Sequence, residues 1–112
     1  MRFLALSMLV LAACGVPSRA PDITGQVTRV SVSADRVVIL VEERPGEQTG
    51  NKISVTVDGS ARVYRQTDTG TTDAALPDLR GATSVSVWIT GPVLESSPAQ
   101  GKGEAVLIRS PR

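Results

Sequence analysis

The sequence predicts an all-β domain, a small closed barrel of five to six strands with one short helical turn. Three observations predict it. Apolar residues from Ile23 onward recur with period two, the mark of strands with one buried face. That period slips once, inside the first strand. Turn residues then divide the chain into short runs, with one long polar connection before the last two strands.

The first run, "ITGQVTRVSV", puts Ile23, Gly25 and Val27 on one parity and Val30 and Val32 on the other. The slip near Thr28 and Arg29 predicts a β-bulge that bends the strand strongly. "SADR" is a turn. "VVILVEE", Val37 to Glu43, is apolar on both parities, as expected of a strand covered on both faces or central to a small barrel. "RPGEQTGN" is a loop, broken by Pro45, Gly46 and Gly50.

In "KISVTV", Ile53, Val55 and Val57 point inward and Ser54 and Thr56 outward. "DGS" carries an Asp-Gly hairpin signal. "ARVYRQ" sets Ala61 and Val63 on one face and Tyr64 on the other. "TDTGTTDAALPDLRGA" reads as the long connection. Its middle, Asp73 to Leu76, is expected to make one helical turn capped by Thr72 or Asp73, with Pro77 limiting its continuation. "TSVSVWIT" alternates again, with Val85, Val87 and Ile89 inward and Trp88 outward. "GPVLESSPAQGKG" reads as a second long loop, and "EAVLIRS" as the closing strand.

Three strands, a helical turn and two more strands is the order of an OB-like barrel. There the bend in the first strand lets it pair with both halves, and closure removes sheet edges. The rival, an immunoglobulin-like sandwich, wants about seven strands and lacks its Cys…Trp…Cys spacing here.

Ahead of the barrel lies "LALSMLVLAACGVPSRAP". Arg2 precedes an apolar run from Phe3 to Ala13 that only Ser7 interrupts. As a helix it would cover about 16 Å of a roughly 30 Å hydrocarbon core, too little to span but enough for a secretion signal. The run ends in Leu11-Ala12-Ala13-Cys14, which resembles the bacterial lipobox. Small side chains suit a tight protease cleft, and the sulfur of Cys14 can carry a diacylglycerol through a thioether. The resemblance implies a signal peptide over 1–13 and a lipid anchor and tether over 14–21, leaving the barrel domain at 22–112. It also implies further acylation of the new amino terminus, since stable anchoring takes more than one chain. Gly15 rather than aspartate after Cys14 implies outer-membrane delivery, periplasmic face, in a Gram-negative host. The alternatives are an ordinary signal cleaved near Ala20 and a plain buried thiol at Cys14.

Composition limits the chemistry. Of 12 Lys+Arg only Arg2 precedes residue 14, so 11 remain against 11 Asp+Glu. Such a balanced chain offers no basic field for nucleic acid. There is no histidine, and Cys14 is the only cysteine, so the usual general base, metal ligand and thiolate nucleophile are missing and no internal disulfide can form. No cofactor is expected. A hydrolase would have to rest on Lys52 or Lys102, and Lys102 lies in "QGKGE", a flexible setting unlike the dry pocket that lowers a lysine pKa. Asp68, Asp73 and Asp78 lack the spacing of a calcium loop and read as turn and cap residues.

The candidate binding residues are Trp88, Tyr64 and Glu95. Trp88 and Tyr64 could form an outer aromatic platform of the kind OB-like barrels use. The competing reading has Trp88 packed beneath the loop "GPVLESSPAQ", shielding the barrel flank.

Two stretches, "DLRGATSVSVWITGPVLESSPAQGKGEAVLI" and "DITGQVTRVSVSADRVVILVEE", resemble small bacterial lipoproteins of the domain of unknown function 3221 family. The match rests on the Asp-Leu turn, the strand ending in Val-Trp, Gly-Pro-Val, Glu-Ser and Pro-Ala-Gln. It departs at Ser97, where the family pattern has an aromatic. The resemblance implies a membrane-tethered OB-like domain and no assigned activity. The expected function is therefore a non-catalytic envelope lipoprotein that binds a protein or small envelope ligand. The alternative is a purely structural head with no specific ligand.

Overall fold

A computed structural model describes residues 16–46, 50–96 and 98–109. Seven strands follow one another: β1 Ile23–Val32, β2 Arg36–Glu42, β3 Lys52–Asp58, β4 Arg62–Thr67, β5 Gly70–Asp73, β6 Ser84–Leu94 and β7 Ala99–Arg109. A 3₁₀ helix, Leu76–Gly81, separates β5 from β6. The sheet runs β3-β2-β1-β6-β7-β4-β5, and an added parallel pairing of β3 with β7 closes five strands into a barrel. β4 and β5 extend the sheet outside the closed ring. This is the OB-like architecture.

Closure depends on β1. Its first half, Ile23 to Gln26, pairs with Val87 to Ser84 of β6. Its second half, from Gln26 to Val32, pairs with β2. The register slips between Val27 and Arg29, where the alternation predicted a bulge. The Thr28 hydroxyl, left out of the ladder, donates to Glu42 Oε2 at 2.6 Å. At the same corner Gly25 meets the end of β2. A Cβ there would run into the Glu42 carbonyl group, 2.8 Å from its carbon.

The interior follows the predicted parities of β3 and β6, and the fold selects the inward parity of β2. Val37, Ile39 and Val41 of β2, Val55 and Val57 of β3, and Val85, Val87 and Ile89 of β6 are buried together with Val106 and Ile108 of β7. Val38 and Leu40, on the other parity of β2, are only half-buried, so the barrel covers one face of this strand. Leu79 of the 3₁₀ helix is fully buried in the same core.

Several local expectations are corrected. "DGS" makes a turn, with Ala61 N–H donating to the Asp58 carbonyl at 3.0 Å, but not a hairpin. β3 and β4 both run parallel to β7, one after the other. The chain therefore jogs and continues in its original direction, because β7 offers one long edge to both. The polar connection contains a strand: β5 folds back on β4 from Thr67↔Gly70 to Tyr64↔Asp73.

The helical turn lies later than Asp73–Leu76. Pro77 occupies its first turn, where a missing N–H costs nothing, so proline opens this helix instead of limiting it. Asp78 supplies the capping carboxylate, accepting from Ala75 N–H at 2.8 Å, in place of Thr72 or Asp73.

The second long loop shrinks to residues 95–98, because β6 runs to Leu94 and β7 begins at Ala99. Its glycines have strand roles. Gly91, at φ +75, falls within the irregular stretch between Thr90 and Leu94. Cβ atoms added at Gly101 and Gly103 would press on Ile89 and Val55, each at 3.2 Å.

Gly25→Ala is expected to lower unfolding free energy by about 1–3 kcal/mol, the usual range for forcing atoms into filled space. Chemical denaturation of the variant against the parent measures it.

Candidate functional site

The outer face of β4, β6 and β7 carries a second apolar cluster: Tyr64, Trp88, Ala105 and Leu107. Register explains it. Trp88 lies opposite Ala105, Ser86 opposite Leu107 and Tyr64 opposite Leu107 on the other side. Trp88 and Tyr64 thus meet, as an outer platform requires. They are nevertheless only 3% and 4% exposed.

The chain ahead of β1 lies across this face. The indole N–H of Trp88 donates to the Arg19 carbonyl at 2.8 Å. Arg19 Nη2 donates to the Ile89 carbonyl at 3.0 Å and to Glu104 Oε1 at 2.8 Å. Asp22 closes the other end: its N–H donates to the Val87 carbonyl at 2.8 Å, and its carboxylate accepts from Ile89 N–H at 2.7 Å. Val16 packs against the aromatic cluster. The segment 16–22 is a strap along β6, and it engages Trp88 where a loop from 91–100 was the expected cover. The signals were in the sequence only as Arg19, Asp22 and Trp88, far apart and without a shared period.

Glu95 is not part of this cluster. It is exposed just beyond the Leu94↔Gln100 pair, while Trp88 pairs lower down with Ala105. Six residues of β6 separate them, with two register shifts in between. Cys14 lies outside the described residues.

The β6–β7 hairpin forms a more accessible feature. Val93 and Leu94 are 38% and 61% exposed. Beside Leu94 runs a groove of about 260 Å³ lined by Thr56, Pro92, Gln100, Gly101 and Lys102. Pro92 has no N–H to donate, which suits a position with few ladder bonds to make. Lys102 Nζ stands 3.9 Å from Asp58 Oδ2. Asp58 in turn accepts from the Ser60 hydroxyl at 2.6 Å and the Ser60 N–H at 2.9 Å. Those two bonds, the hydroxyl first, hold its carboxyl below the ordinary value of 3.8, with Lys102 and Arg36 adding smaller attractions. The site therefore offers an apolar lip, amide and hydroxyl partners and one cation, a set suited to binding.

A second concavity, about 210 Å³, lies where the β1–β2 turn meets the 3₁₀ helix, with Arg36 and Arg80 beside Val32, Leu76 and Pro77. The lysines are placed as surface ion-pair partners: Lys52 Nζ lies 3.9 Å from Glu42 Oε1. Among the described residues no group of three or more His, Cys, Asp or Glu could hold a metal ion. The Asp78 carboxylate serves as a cap, Thr67 Oγ1 donates to the Gly70 carbonyl at 3.1 Å across the β4–β5 turn, and Asp73, expected as a turn or cap residue, is instead the last residue of strand β5.

Two outcomes are expected. Asp22→Ala removes the acceptor for Ile89 N–H and should cost about 1–3 kcal/mol, with Trp88 emission moving to longer wavelength as the strap loosens. Ser60→Ala should raise the Asp58 pKa toward its ordinary value, read by NMR titration. Because that pKa is depressed in the folded state, its contribution to stability is present above the unfolded value and lost as pH falls through the folded one; Ser60→Ala should flatten this acid limb. Comparison with protein-family models, curated proteins and solved structures finds no match for the chain.

Proposed function

We propose that this chain is an envelope lipoprotein, held to a membrane by lipid on Cys14, whose barrel works as a non-catalytic binding module. The partner, an envelope protein or small envelope ligand, meets the β6–β7 hairpin rather than the aromatic cluster. One observation carries this reading: Leu94, a large apolar side chain, stands 61% exposed above a groove that also holds Lys102. Single exposed apolar residues are common, but here Val93 and Pro92 adjoin it and polar groups converge beside it. Glu95 lies at the rim of the same hairpin. The family resemblance of the C-terminal half is part of this reading and supplies no activity.

The rival, a structural head without a specific ligand, draws on the burial of Trp88 and Tyr64 beneath the strap. The two diverge at Leu94. A photo-crosslinking amino acid placed there in cells should give a discrete adduct. A Lys102→Glu change at the groove should weaken that adduct, while Arg80→Glu at the second concavity leaves it unchanged. Absence of any adduct in cells that hold the folded protein favours the structural role.

A further inference from the structure

The strap leaves little free chain between the anchor position and the barrel. Val16 already packs on the Tyr64–Trp88 cluster, and Arg19 and Asp22 are bonded to β6 and β7. Cys14 is two residues ahead of Val16. Two residues of fully extended chain reach at most about 7 Å. An acyl group on Cys14 would therefore bring the outer face of β4, β6 and β7 to the bilayer, where a longer free tether would let the barrel turn in any direction.

The charges around the cluster suit such a position. Arg62 precedes Tyr64 by two residues on β4 and shares its face, opposite Ala105. Arg109, on the same parity of β7 as Leu107, donates from Nη1 to Ser86 Oγ at 3.1 Å. Among the described residues neither arginine has a carboxylate within ion-pair distance. Arg19 engages both Glu104 and Asp22, so Asp73, directly opposite Tyr64 on β5, is the one other described acid set against these two arginines on this face.

We infer that this face docks on an anionic bilayer surface, with Arg62 and Arg109 meeting lipid headgroups and the strap lying between the barrel and the membrane. The occupant is the headgroup layer. Its case rests on the packing of Val16, two residues after Cys14, on the aromatic cluster and on two arginines that an anionic surface would complement. The inference rests on lipid at Cys14, the anchor of the proposed function. It adds an orientation: the barrel is fixed with this face toward the membrane.

The test uses the full processed protein in vesicles of phosphatidylcholine with phosphatidylglycerol, or of phosphatidylcholine alone. Mass spectrometry first reads the lipid on Cys14. Trp88, the only tryptophan, then reports nearness to phosphatidylcholine carrying a nitroxide on its headgroup. Quenching should be stronger in the phosphatidylglycerol vesicles, and the Arg62→Glu/Arg109→Glu pair should lose most of that excess. Arg36→Glu, on β2 and outside the face formed by β4, β6 and β7, should keep it. Should the double charge reversal fail to fold, the Arg62→Gln/Arg109→Gln pair should show a smaller loss of the same sign. A lipidated protein with unquenched Trp88, or with quenching indifferent to these substitutions, overturns the orientation and leaves the anchor reading standing. A chain without lipid on Cys14 overturns both.

Discussion

A single strand must serve two neighbours for this barrel to close, and the kink in β1 makes that possible. Between Val27 and Arg29 one residue drops out of the ladder. The strand bends there, leaves β6 and continues along β2. The bend also reverses the parity of the strand's second half, so Val30 still packs against the core after Val27 has done so. Without the extra residue, one parity would be carried along the whole strand. Gly25 completes the corner, since only a residue without a side chain lets β1 come so close to the Glu42 carbonyl.

β7 solves the complementary problem. It offers one edge to β6 and the other first to β3 and then to β4. Along β3 and β4 the chain uses nine residues from Ile53 to Arg62 while β7 advances six from Ala99 to Ala105, so three residues are looped out. The Asp58–Ser60 bonds hold that jog. At the crossing, the inward glycines Gly101 and Gly103 make room for Ile89 and Val55, and both faces of the following stretch, Ala105 to Ile108, are buried.

Burial on both faces connects the fold to the proposed function. A strand covered on one side only would leave Trp88, Tyr64 and Leu107 in water. The strap makes this face an extension of the folded domain and directs its aromatic residues to packing. Indole is suited to that position because its ring fills apolar space while its N–H still finds the Arg19 carbonyl. The features that project beyond the ring are the β6–β7 hairpin with Leu94 and the arginines bordering the covered face, and the proposed recognition falls to these.

Alternation by itself determined the all-β class, the inward and outward parities of β3, β4 and β6, and the bulge near Thr28, because a period of two is a local consequence of the pleated backbone; which face of the doubly apolar β2 turns inward was decided by the barrel. Composition determined the lack of histidine and of a second cysteine. Tertiary structure alone decided the rest. Pro92, Gly101 and Gly103 read as loop residues because their usual propensities ignore what stands opposite them; in place, they meet bulges and close side chains that a strand elsewhere would not have. "DGS" became a jog because β7 was there to pair with both flanking segments. The strap joins residues nearly seventy positions apart, Arg19 with Trp88 and Asp22 with Ile89, and no local pattern records a contact that only barrel closure brings together.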